Sequence, residues 1–201
     1  MPVQRPEQER QEGRPVRRMR RPERREQILD AATTAFARSG GFTATSLDDI
    51  AAEAGVTRMI LYRHFASKTE LYQAVIDRAA ERLHAAATAR GGLSEETVPA
   101  MMDWAAAEPD AFRLLFHHAV REPEFRGDID QLRAGMARTL RPHLAAEADS
   151  EAWADWAAGL ATTVAIEAIM AWLDAGQPDL EKARRRVLRA IDGVYQALTV
   201  H

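Results

Sequence analysis

Between Thr57 and Lys68 the chain carries Arg58, Met59, Ile60, Tyr62, Arg63 and His64, side chains suited to reading base edges and gripping phosphates rather than to breaking bonds. On a helix Arg58, Met59, Tyr62 and Arg63 share one face, because residues three and four apart are neighbours. An arginine on such a face pairs with guanine O6 and N7 or clamps a phosphate, and the residues alone leave both roles open for Arg58 and Arg63. Met59 or Ile60 offers contact to a thymine methyl. Catalysis has far less to work with. The chain has no cysteine, and it contains neither a glycine-rich phosphate loop nor a nucleophile elbow. His117 and His118 are adjacent, so on a helix they point about 100° apart and make a poor metal pair. The expectation is a protein that is not an enzyme and holds no metal or cofactor.

A helix-turn-helix must position these side chains, and residues 47–65 have the residue types its geometry requires. Leu47, Ile50, Ala51 and Ala54 form the apolar side of a short helix, with Ser46 as its N-cap and Asp49 three residues on. Ala51 sits where the two helices nearly touch, and Gly55 sits in the turn, where positive φ is least costly without a Cβ. Thr57 caps the next helix, which runs to about His64. Ser67-Lys68-Thr69-Glu70 is a capping box opening a long helix through Leu83. Ahead of these, Ile28, Leu29, Ala32, Ala35 and Phe36 recur at helical spacing from Pro22 to the Gly40-Gly41 stop.

Charge divides the chain in the same place. Residues 1–72 carry net +3 and residues 73–201 carry net −6, a basic module on an acidic body. Three regions follow: a disordered basic tail over 1–21, a DNA-binding domain over 22–72 and a helical body over 73–201. The run Arg17-Arg18-Met19-Arg20-Arg21 either reaches along a minor groove or stays a solvated tail. The most apolar stretch, Ala157 to Leu173, contains Glu167 and falls short of a bilayer span, and no apolar leader opens the chain. No membrane partner and a cytoplasmic location are expected.

Arg24-Arg25-Glu26-Gln27-Ile28-Leu29-Asp30-Ala31-Ala32, Phe36, Gly40, Thr45-Ser46, Ile50-Ala51, Ala54-Gly55-Val56-Thr57, Leu61-Tyr62, His64-Phe65, Ser67-Lys68 and Leu71 resemble the N-terminal domain of TetR-family transcriptional regulators. The resemblance covers Arg24 to Tyr72, about a quarter of the chain, and implies an all-α homodimer with two DNA-binding heads and helical-bundle bodies that dimerise and hold a small-molecule pocket. It implies double-stranded DNA, in a pseudo-palindromic operator, as partner. Tyr62, His64 and Lys68 match family positions that grip the backbone, and Thr45 and Ser46 with the amide end of their helix do likewise. A packed core role for His64 remains open. Two departures stand out: Gly40-Gly41-Phe42 is one residue longer than the usual turn, and Met59-Ile60 replace the smaller residues usual there.

The body reads as helical throughout, with no alternating β-branched pattern. Pro142 must kink or end the helix that carries Ile129, Leu132, Met136 and Leu140. Met101, Trp104, Phe112, Phe116, Met136, Leu140 and Met170 are expected to line an apolar ligand pocket or to fill a solid core. His117 and Glu167 interrupt apolar helices, and Glu167 either receives a ligand amine or faces solvent. Ala161 and Ala165, with the stripe holding Val187, Ile191 and Val194, are expected at a four-helix dimer interface or packed within one chain. Two functions therefore compete: a repressor released by a small apolar ligand, and a dimeric architectural DNA-binding protein without an effector.

Overall fold

The computed structural model describes residues 19–89 and 96–198, so the tail over 1–18 and the Gly91-Gly92 break lie outside the described residues. Among the described residues the regular structure is entirely helical, with no strand. Helix α1 (Arg21–Ser39) starts one residue earlier than the proline suggests. Glu23 reaches back to the Arg20 N–H at 3.0 Å and satisfies it. The helix ends on Gly40 and Gly41, at φ +97° and +109°. Short helices α2 (Leu47–Glu53) and α3 (Arg58–Tyr62) meet across Gly55, whose φ of +61° meets the expectation for that turn.

Helix α4 (Lys68–Thr88) passes from head to body. The body continues with α5 (Thr97–Ala107), α6 (Pro109–Arg113), α7 (Arg126–Leu144), α8 (Glu151–Asp174) and α9 (Leu180–Leu198). Helix α7 runs through Pro142 and closes two residues later, at Leu144. Helix α8 is 24 residues long and, contrary to the expectation from its sequence, apolar and long enough to cross a membrane. More than half of that stretch is buried in the body, packed between α7 and α9.

Between α6 and α7 the chain forms a π turn, Leu114–His118, and then a 3-10 turn, Ala119–Arg121. The sequence signals neither. An α-helix would turn one of three successive residues outward, whereas here Leu114, Leu115 and Phe116 are all buried. One apolar core then runs from Ile28 and Phe36 in the head through Leu71 and Tyr72 to Met102, Phe112 and Ile166 in the body. At the seam between head and body, the rings of Phe42, Tyr72 and Phe125 cluster with centroids 4.6 to 5.2 Å apart. A Cβ on Gly41 would stand 3.0 Å from Glu122 Oε1 and 3.4 Å from His118 Cβ, so a side chain there would crowd the Glu122 carboxylate of the body's turn.

Candidate nucleic-acid interface

The α2–α3 unit stands on a small core. Ile50, Ala51, Ala54, Leu61 and Phe65 are buried, and Gln27 Nε2 donates to the Ala54 carbonyl at 3.0 Å, binding α1 to the end of α2. Ser46 and Asp49 form both halves of a capping box: the Asp49 N–H donates to Ser46 Oγ at 3.1 Å, and the Ser46 N–H to Asp49 Oδ2 at 2.9 Å. The Ser46 hydroxyl, donating to Asp49 Oδ2 at 2.6 Å, and then the Ser46 N–H hold the Asp49 carboxyl below its usual pKa. Ser67 Oγ likewise accepts from the Glu70 N–H, but Glu70 reaches the Ala66 N–H rather than that of Ser67.

Leu61 is buried and Ile60 packs half-buried against the core, so the remaining α3 side chains face outward and Ile60 is turned away from any base contact. Met59 is 67% exposed and Tyr62 50%, values that leave two large apolar groups to water beside Arg58 and Arg63. Arg58 is oriented by its neighbours: the Tyr62 hydroxyl first and then the Asp48 carboxylate raise its pKa, and Arg58 Nη1 lies 3.3 Å from Asp48 Oδ2. Arg63 Nη2 approaches Met59 Sδ at 3.9 Å. Thr57 is the N-cap residue but makes no capping bond with its side chain, and it is exposed. Arg58, Met59, Tyr62 and Arg63 thus form one outward face, with Thr57 and Ser46 exposed on the same two-helix unit. The arrangement suits a major groove, since it combines cationic donors with apolar contact on a helix narrow enough to enter.

Three expected contacts are placed differently. Thr45 is buried and its hydroxyl donates to the Gly41 carbonyl at 2.7 Å, so it shapes the loop rather than meeting a phosphate. Lys68 is half-buried, with Nζ 4.4 Å from the centroid of the Phe42 ring. Burial lowers its pKa against the pull of Glu122. Its ammonium therefore rests at the head–body seam. His64 is half-buried too; burial, then Arg21, Arg25 and Arg24, push its pKa down.

In the body, Met101, Trp104, Phe112, Phe116 and Met170 are buried together, with Met136 packed against them. Leu140 instead joins a second cluster around Leu144, Ala157 and Ala161. His117 is half-buried beside His118. Glu167 is exposed and pairs with Arg133 at 3.2 Å, which meets the solvent-facing alternative. The interface expectation needs correction, because Ala161, Ala165, Val187 and Val194 are covered by the chain's own helices and Ile191 is half-buried. The uncovered apolar face is instead Trp153 and Trp156, 52% and 43% exposed, followed along α8 by half-buried Leu160 and Val164. Sequence reasoning also missed Asp48, Glu122 and Arg133, whose partners lie on other segments of the chain, beyond the reach of any periodic pattern.

Residues 28–75 match the family of bacterial regulatory proteins named for tetR. Over 122 residues the chain is 35% identical to the HTH-type transcriptional activator FasR of Mycolicibacterium smegmatis, covering 56% of this chain and 54% of that protein. Over 123 residues it is 28% identical to the HTH-type transcriptional repressor SCO4008 of Streptomyces coelicolor, covering 55% of this chain and 64% of that one. The chain thus spans 54% to 64% of the length of these relatives. A TetR-like transcriptional regulator from Rhodococcus sp. RHA1 aligns over 92% of this chain and 100% of its own with a TM-score of 0.77. At 22% identity that likeness concerns the fold.

Proposed function

We propose that this chain, which belongs to the TetR family of bacterial transcriptional regulators, binds a pseudo-palindromic operator as a homodimer in the cytoplasm and represses until a small, mostly apolar ligand enters its body. The observation that supports DNA reading most directly is the outward face of α3, where Met59 and Tyr62 stand exposed beside Arg58 and Arg63. A five-residue helix reads few base pairs. A twofold axis presents two such helices to successive major grooves about 34 Å apart, or a multiple of that. The exposed α8 face at Trp153 and Trp156 supplies an apolar surface for the partner subunit.

Release follows if the ligand favours a form in which the heads sit at the wrong separation; equal affinity for both forms shifts nothing. Selection from random duplexes tests the reading. An inverted repeat is expected, with affinity that falls steeply with salt. Enrichment of no motif overturns it. Specific binding that no ligand weakens points instead to an architectural role.

A further inference from the structure

The buried polar groups of the body indicate what kind of ligand it takes. Of the chain's four tryptophans, Trp153 and Trp156 are exposed, and Trp172 Nε1 donates to the Pro178 carbonyl at 2.7 Å. Trp104 is 8% exposed, and its buried Nε1–H meets no acceptor. An indole N–H sealed in apolar surroundings without a partner carries an uncompensated desolvation cost, so native cores rarely leave one. A second such donor lies on α7. Arg133 Nε is buried without an acceptor, although the Nη2 of the same guanidinium pairs with Glu167.

A continuous line of aromatic contact joins the two. The Trp104 and Phe112 centroids are 6.0 Å apart, those of Phe112 and Phe116 4.9 Å, and Arg133 Cζ lies 5.6 Å from the centroid of the Phe116 ring. Phe116 belongs to the π turn, a geometry that recurs at functional sites.

We propose that the ligand in this part of the body is an apolar carboxylate, its hydrocarbon against Phe112, Phe116 and Met170 and its oxygens accepting from the donors that now lack partners. This deepens the ligand-responsive reading above and rests on it. Both orphan groups are donors, and one is cationic, so the complementary molecule brings acceptors and negative charge rather than an amine. Glu167, which pairs with Arg133 from the solvent side, shows that this guanidinium already accommodates a carboxylate.

The test uses decanoate and decylamine, which share a hydrocarbon tail and differ in charge and hydrogen-bonding sense. By calorimetry on the full chain without DNA, decanoate is expected to bind at least tenfold more tightly. Trp104→Phe and Arg133→Met, which keep most of the apolar surface, each lower decanoate affinity about ten- to a hundredfold and leave decylamine unchanged. The indole N–H resonance of Trp104, identified by its loss in Trp104→Phe, moves downfield with decanoate in the unsubstituted protein, whatever the stability of the variants. Equal binding of the two compounds, binding of neither, or an unmoved resonance overturns the proposal. Operator titration keeps the two readings apart: decanoate that binds as described yet leaves DNA affinity unchanged sinks the release mechanism and leaves the site standing.

Discussion

The carboxylate of Glu122, in the turn that follows the π segment, accepts from both the backbone N–H and the hydroxyl of Thr43, at 3.1 and 2.9 Å. One body residue thus holds the loop between α1 and α2 by two bonds, and Lys68 feels the same carboxylate. Glu122→Ala is expected to cost about 1–2 kcal/mol of stability, measured by urea unfolding. A larger effect is expected on the ligand–operator coupling proposed above. Operator and ligand each still bind, but the factor by which one weakens the other shrinks, as paired titrations with and without operator measure. An unchanged factor would remove this contact from the coupling.

Asp48 and Arg58 place an acid within the DNA-facing unit, where it repels phosphate unless it orients the arginine. Arg58→Ala should cost about 1–3 kcal/mol and relax preference at one base pair in each half-site. Asp48→Asn should relax the same position more mildly while nonspecific binding strengthens, as selection with each variant would reveal. Loss of affinity uniform across sequences would assign Arg58 to a phosphate.

His64 and His118 both have pKa values pushed down by burial, reinforced for His118 by His117, Arg121 and Arg113. The unfolded chain therefore takes up these protons first. Stability is full above about pH 6.5, the unfolded value, and is lost as pH falls from there toward the folded values. Unfolding midpoints at about pH 7.5 and 5.5 should differ accordingly. His64→Asn with His118→Asn should flatten the difference; an unaltered slope would place its origin elsewhere.

Charge introduced on the two faces of the α8–α9 layer should act in opposite ways. Trp156→Arg or Val164→Glu is expected to leave a folded monomer in sedimentation, with weaker operator binding. Val187→Asp buries an unpaired carboxylate inside the protomer and should cost several kcal/mol, on the order of 3, seen as a lower Tm. A dimer that survives both surface changes would move the interface off this face.

The helical order was legible because caps and breakers are local. Ser46 with Asp49, Gly55 and Ser67 mark boundaries within a few residues of the groups they satisfy. The exposed face of α3 followed from periodicity for the same reason. Three-dimensional partnerships were not legible. Lys68 is consumed by Phe42 and Arg58 by Asp48, contacts between separate segments, while Thr45 is consumed by the Gly41 carbonyl within an irregular loop that has no period to read. The α9 stripe gave the apolar side correctly but not its owner, since Val187 and Val194 serve the chain's own core. The π turn has no signature in residue type at all.

Gly41 makes the seam between head and body a joint defined by a missing atom. With Glu122 Oε1 only 3.0 Å from where a Cβ would stand, the two halves meet backbone against side chain, without padding. Such a bearing tolerates tilt but not thickness. Any side chain at this position, at φ +109°, strains the loop and crowds the Glu122 carboxylate. In the dimer proposed above, Gly41→Ala is therefore expected to shift the preferred half-site spacing, a property measured in base pairs.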